Sequence, residues 1–245
     1  MRRAAAGAWH VPAAFVFLLR RPALWGLTVL PAALAGVLLV AGVTAGLYAA
    51  PSAESALAPG RGTLPDWLGL AIAVGLWVGM MVGGAIAGLA AALLLAAPLL
   101  DRLSRRVEAL VQNSVPAAAT GLRWEAMQSV RGALYFLAAA PGVFALGLLP
   151  LIGPPLGALW GAHALALQET DGTLSRRGLG FDARREWHRR WRPESLGFGF
   201  AGLVALAVPF ANLLLAPALS VGATRLVLEL EALATASEAT GGEGK

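Results

Sequence analysis

The sequence predicts an all-α integral membrane protein with two crossing helices, two partly inserted helical hairpins and an N-terminal interfacial helix. Three observations lead there. The 245 residues are 58% hydrophobic and only 13% charged, about half the charge of an average soluble domain. Mean hydropathy is +0.68. Charge is missing altogether from four long runs, residues 22–53, 67–100, 132–168 and 195–224. These numbers exclude disorder, a collagen, a coiled coil and an ordinary cytosolic enzyme. The absence of cysteine excludes disulfides, thiolate zinc sites, iron–sulfur clusters and a cysteine nucleophile. The single lysine is Lys245, so no lysine sits in a Gly-rich turn as a P-loop requires.

Taken in order, residues 4–19 are uncharged but hold Gly7, His10 and Pro12 and end at Arg20-Arg21. This stretch is short for a crossing and has no A-x-A cleavage site leading into a polar mature chain, so it reads as an interfacial helix and not a signal peptide. A hydrocarbon core of roughly 30 Å needs about 20 apolar residues in helix. The first two runs each supply one such helix, near 24–49 and 67–98. Trp25 and Trp67 stand at their starts, where aromatic belts form. The second carries small residues every four positions: Ala71, Gly75, Gly79, Gly83, Ala87 and Ala91. Such a stripe lets helix backbones approach in lipid. It predicts a packing seam on Gly75, Gly79 and Gly83, within the chain or between copies in a homo-oligomer. After a break at Pro98, residues 101–112 read as an amphipathic extension with Leu103, Val107, Leu110 and Val111 on one face.

The third run is interrupted by Pro150-Leu151-Ile152-Gly153-Pro154-Pro155, leaving legs of about 16 residues. The fourth is interrupted at Pro209-Phe210-Ala211-Asn212, leaving legs of about 13. Both sets of legs fall short of a crossing and predict hairpins that enter and leave by one face. Residues 1–234 form one transmembrane domain on this reading, and 235–245 a flexible tail. Arginines gather at the N-terminus, in 101–131 and in 169–194, so the positive-inside rule predicts cytoplasmic N- and C-termini.

The polar residues at membrane depth are His163 and Asn212. Such residues default to a functional reading. His163 either lines a path or donates to a carbonyl; Asn212, with Pro209 at a hairpin tip, either lines a pore or caps a helix. Gly197 and Gly199 open the fourth run, where free helix amides could face an anion or the glycines could allow tight packing. Segment 176–194 mixes arginines with Phe181, Trp187 and Trp191. Tethered at a membrane, it points to anionic headgroups and not to nucleic acid. There is no H-E-x-x-H, no G-x-S-x-G and no carboxylate within an apolar run. No enzyme, metal or cofactor is predicted.

The order of parts resembles a known family. Arg20-Arg21-Pro22-Ala23-Leu24-Trp25 leads into a crossing helix with Leu30-Pro31, and Pro65-Asp66-Trp67 opens the second. A hairpin turns at Leu149-Pro150-Leu151-Ile152-Gly153, and Leu196-Gly197-Phe198-Gly199 follows the basic loop. The chain then runs through Val208-Pro209-Phe210-Ala211-Asn212-Leu213-Leu214-Leu215-Ala216-Pro217 to Val221-Gly222-Ala223-Thr224. Over roughly 10–226 this resembles the CysZ-type sulfate permeases of the etoposide-induced-protein superfamily. The resemblance implies a bacterial inner-membrane protein, often oligomeric, that takes up sulfate for cysteine synthesis. Those permeases tend to carry basic residues just after the proline of the first crossing helix, where this chain has Ala23-Leu24-Trp25. The anion site expected here therefore combines Arg20 and Arg21 with amides near Gly197 and Gly199. A non-transporting membrane scaffold on the same fold is the alternative of another class.

Overall fold

The computed structural model describes residues 1–57, 66–112, 121–208 and 212–242. The described residues form α1 (Arg2–Leu19), a 3-10 turn (Pro22–Leu24), α2 (Trp25–Leu57), α3 (Asp66–Gln112), α4 (Leu122–Gly147), α5 (Gly153–Arg176), α6 (Phe181–Arg190), α7 (Arg192–Leu206) and α8 (Asn212–Gly242). They contain no strand. Two compact units result, one from Gly26–Leu100 and one from Met1–Trp25 with Asp101–Lys245.

The Gly26–Leu100 unit is an antiparallel pair made of most of α2 and the first part of α3. Lipid tails are as apolar as leucine, so apolar side chains alone give such a pair little reason to associate. It is held instead by backbone approach. A Cβ on Gly42 would stand 2.1 Å from the Gly84 carbonyl oxygen, and one on Gly84 would stand 2.1 Å from that of Gly42. Gly46 meets Met80 and Gly88 meets Leu38 at the same 2.1 Å. Two GxxxG steps, 42/46 and 84/88, thus interlock. The predicted seam inside the chain is corrected by this geometry. A Cβ on Gly75, Gly79 or Gly83 would meet nothing within 4 Å. Gly84 follows Gly83 by about 100° around the helix, so the touching face lies next to the predicted one.

Two further expectations change here. Pro98 does not break α3, nor Pro51 α2; both lie inside their helices. A proline removes one helical hydrogen bond, and in apolar surroundings the rest of the backbone has no partner better than the helix itself. Among the described residues, three stretches are long and apolar enough to cross a membrane: Pro22–Ala56, Trp67–Gln112 and Arg123–Gly147. The third belongs to α4, whose 26 residues reach about 39 Å at 1.5 Å per residue. The leg comes out longer than read because the helix continues through Arg123, Glu125 and Arg131 ahead of the uncharged run.

The second unit adds capped turns, side-chain hydrogen bonds and a shared apolar core to its helix contacts. The helix–turn–helix α4–α5 reverses at residues 148–152, where the prolines and Gly153 required it. After α5, Gly178 has φ 73°. The Leu179 amide bonds to the Leu174 carbonyl (3.3 Å) and the Gly178 amide to that of Ser175 (2.8 Å). This is the Schellman pattern, and it turns the chain into α6. The Phe181 amide then docks on α4 by donating to Gln128 Oε1 (2.8 Å). The core gathers Val11, Ala166, Phe198, Leu215, Leu219, Ala223, Leu226 and Leu230 from α1, α5, α7 and α8. Helix α1 is therefore half-buried in this unit, with Trp9, Val16 and Leu19 exposed on its other side. It runs antiparallel to α8: His10 Nε2 meets Glu229 (3.1 Å), and Arg225 donates to the Ala13 carbonyl (3.3 Å). The expected tail is helical as far as Gly242, continuing α8.

Candidate functional site

Three polar assemblies occupy the second unit. The first surrounds the N-terminal arginines. Arg20 follows the last turn of α1, and Arg21 precedes Pro22 of the 3-10 turn. Arg21 stacks over the Phe17 ring with Cζ 4.3 Å from its centre, and Arg225 of α8 approaches the same ring at 5.2 Å. None of the ion pairs among the described residues involves Arg20, Arg21 or Arg225. Arg21 and Arg225 thus flank one aromatic ring, with Arg20 next to Arg21 in the chain. Sequence reasoning missed Arg225, although it ends the fourth uncharged run directly after Val221-Gly222-Ala223-Thr224.

Gly197 and Gly199 do not join that assembly. Both lie inside α7, which already begins at Arg192, so their amides fall beyond the four that a helix start leaves free. A Cβ on Gly197 would sit 1.9 Å from the Ala4 carbonyl oxygen, and one on Gly199 1.9 Å from that of Ala162. These glycines let α7 touch the backbones of α1 and α5. Ala4 is also 16 residues from Arg20, about 24 Å along a helix. The four-residue anion site is therefore corrected to two separate places, of which only the arginine end offers free donors.

The second assembly is a buried ionic network joining α3, α5 and α8. Glu108 is fully buried. Its two carboxylate oxygens accept from Arg176 Nε and Arg177 Nη1, each at 2.9 Å. Arg176 also donates to Asp101 (2.8 Å) and to Ser104 Oγ (2.5 Å). Arg177 pairs with Glu231 as well. Ser104 bonds in turn to Thr224 (2.8 Å). The inward face of residues 101–112 is therefore Leu103, Ser104, Val107 and Glu108; Leu110 and Val111 are exposed. Periodicity alone grouped the last two with Leu103 and Val107 on one face, because it cannot count a glutamate toward the buried face unless its partner is known.

The third is a cavity of about 420 Å³ between α4, α5, α6 and α7. His163 lines it, with Tyr135, Trp160, Arg185, His188, Arg189 and Arg192. His188 is 2% exposed. Its Nδ1 meets Ser195 Oγ at 3.0 Å and its Nε2 meets Thr170 Oγ1 at 2.9 Å. Burial, with the nearby His163 ring, pushes its pKa down to about 3. It stands as a neutral wall. Pro209 lies outside the described residues, and Asn212 is the first residue of α8. No group of histidine and carboxylate residues suited to a metal ion is present among the described residues.

The comparisons with known proteins agree in kind. A family profile described as "Sulfate transporter CysZ/Etoposide-induced protein 2.4" matches residues 11–217. A sulfate transporter CysZ of Pseudomonas fluorescens is 34% identical over 140 residues, 53% of this chain and 55% of that one. One from Pseudomonas syringae pv. tomato is 30% identical over 142 residues, again 53% and 55%. One from Pseudomonas paraeruginosa is 29% identical over 180 residues, 66% and 71%. The chain spans about half the length of the first of these curated relatives.

Proposed function

The chain belongs to the sulfate transporter CysZ and etoposide-induced protein 2.4 family, and from that premise we propose that it is a bacterial inner-membrane anion permease. Its substrate on this reading is sulfate, moved down its own gradient or with a coupled one. The observation that carries the reading is the pair Arg21 and Arg225 on either side of Phe17, with Arg20 adjacent in the chain, cationic donors without a carboxylate partner among the described residues in a protein of this family. Arginine suits a tetrahedral oxyanion because its planar fork donates two parallel hydrogen bonds. Pro22 follows at once and opens the 3-10 turn, so the guanidinium groups stand near the positive end of the next helix.

Two further elements of the proposal rest on the same frame. Both termini are cytoplasmic, which the antiparallel run of α1 and α8 supports because it directs the start of one and the end of the other the same way. The open face at Gly75, Gly79 and Gly83 receives a second copy of the chain in a homo-oligomer, which its lack of neighbours within the chain supports. Hairpin insertion of 132–168 and 195–224, with Pro209 and Asn212 at a tip, completes the reading.

Labelled sulfate uptake into proteoliposomes tests the function. The double variant Arg20→Gln, Arg21→Gln should insert normally and lose sulfate binding tenfold or more, where tenfold is about 1.4 kcal/mol. Unchanged uptake per inserted molecule would reject the site; no uptake by the parent protein under an imposed sulfate gradient would reject the permease.

A further inference from the structure

The cavity between α4, α5, α6 and α7 is not used by the reading above, and its two ends differ in chemistry. At one end stand Arg185, Arg189 and Arg192 from α6 and the start of α7, with His163 of α5. Toward the α4–α5 turn the lining becomes Val143, Leu146 and Leu156. From His163 to Leu156 is about 10 Å along α5, and from Tyr135 to Leu146 about 16 Å along α4, at 1.5 Å per residue. A hydrated dianion gains nothing from the apolar end. An amphiphile with an anionic head matches both.

The charges at the head end are unequally matched. Arg192 enters no ion pair among the described residues. Arg185 lies 4.0 Å from the exposed Asp182 and stacks on Tyr135 with Cζ 4.5 Å from the ring centre. Arg189 pairs with Glu186 at 2.6 Å, both largely in solvent. His188 already spends both ring nitrogens on Thr170 and Ser195, so it shapes the wall and leaves the arginines as donors. The apolar end is open to the side: Leu146 is 42% exposed and Leu156 39%. It borders α4, a helix long and apolar enough to cross a membrane. A chain lying in lipid can therefore enter sideways.

We propose that this cavity is a binding site for an anionic phospholipid, its phosphate held by Arg185 and Arg192 with Arg189 at the rim and its acyl chain laid along Val143, Leu146 and Leu156. The site is distinct from the Arg20–Arg21–Arg225 assembly, so sulfate transport can fail as a reading without touching this one.

The test uses the purified, delipidated full chain in neutral detergent. Phosphatidylglycerol with brominated acyl chains is titrated in, and quenching of Trp160 is read as the difference between the parent and Trp160→Phe. Phosphatidylglycerol should bind at least tenfold tighter than brominated phosphatidylcholine of the same chain length. Arg185→Gln with Arg192→Gln should abolish that preference, while Arg192→Lys, which keeps the charge, should retain most of it. Inorganic phosphate or sulfate at millimolar concentration should leave the bound lipid in place. Equal affinity for the two lipids would overturn the proposal, whatever the variants do. So would displacement of the lipid by the free ions in their own binding range, which would make the cavity a site for a free oxyanion.

Discussion

The two units of the chain both use glycines to bring helix backbones together, but they differ in what else they bury. In Gly26–Leu100, α2 and α3 meet backbone to backbone at Gly42, Gly46, Gly84 and Gly88, while Val37, Tyr48, Ile86 and Leu94 face outward. In the other unit the interior holds Glu108, Arg176, Arg184, His188 and Thr224. The difference follows from the solvent. Helices in hydrocarbon gain by van der Waals approach and little by hiding apolar side chains. A unit that buries charge must instead answer every charge, because an unpaired one inside is costly. The arginines therefore sort themselves. Arg176 and Arg177 are answered by Glu108, Asp101 and Glu231 and build the structure. Arg20, Arg21, Arg192 and Arg225 are among those that no carboxylate among the described residues answers, which leaves them available to a ligand.

The sharpest way to break this contrast is Glu108→Gln. It removes the buried charge shared by Arg176 and Arg177, leaving them only the partly exposed Asp101 and Glu231, and should cost up to about 3–5 kcal/mol, read as a large loss of melting temperature or folded yield in detergent. Little change would mean that the network is not holding the unit. The corresponding break in the other unit is Gly84→Leu, which drives a side chain into the Gly42 carbonyl. Overpacking of this kind costs about 1–3 kcal/mol. Gly79→Leu meets nothing in the chain and should leave monomer stability alone while weakening any oligomer in sizing. Equal loss of monomer stability in both would place the intrachain seam wrongly.

Acid sharpens the contrast by acting on the polar unit. The folded pKa of His188, about 3, lies below the ordinary value of 6.5. The unfolded chain therefore binds this proton first. Stability from this group is complete above about pH 6.5 and is lost as the pH falls toward 3, by about 1.4 kcal/mol per unit. His188→Asn should flatten the melting temperature between pH 6.5 and 5; an unchanged slope would show that another group sets it. The smallest effect belongs to Arg105→Gln. Its pair with Asp101 is about 40% exposed on both sides, so the change should stay within about 1 kcal/mol. A larger loss would extend the buried network outward to this pair.

Legibility in the sequence followed the same division. The gaps in charge marked every long helix, and the Pro150–Pro155 cluster marked the α4–α5 turn, because both depend on local composition. The proline at 98 misled, since a helix in apolar surroundings tolerates one missing bond better than an open end. The stripe Gly75, Gly79, Gly83 was as regular as 84 and 88, and only the presence of α2 distinguishes them. Arg225 was visible but had no apparent company, since Phe17 and Arg21 reach it from the opposite end of the chain.

The sequence by itself determined that this is an all-helical membrane protein of a recognisable family, with its helices, its first hairpin turn and a surplus of arginine. Hydropathy and charge are properties of single residues and their near neighbours, and they survive without a fold. Tertiary structure decided which arginines are spent and which are free. Glu108 and Arg176 stand 68 positions apart, and neutralisation is a matter of distance in space. It also decided that Gly197 and Gly199 serve α7's contacts with α1 and α5, since a bare backbone can face an ion or a neighbouring helix, and only the neighbour's position tells which.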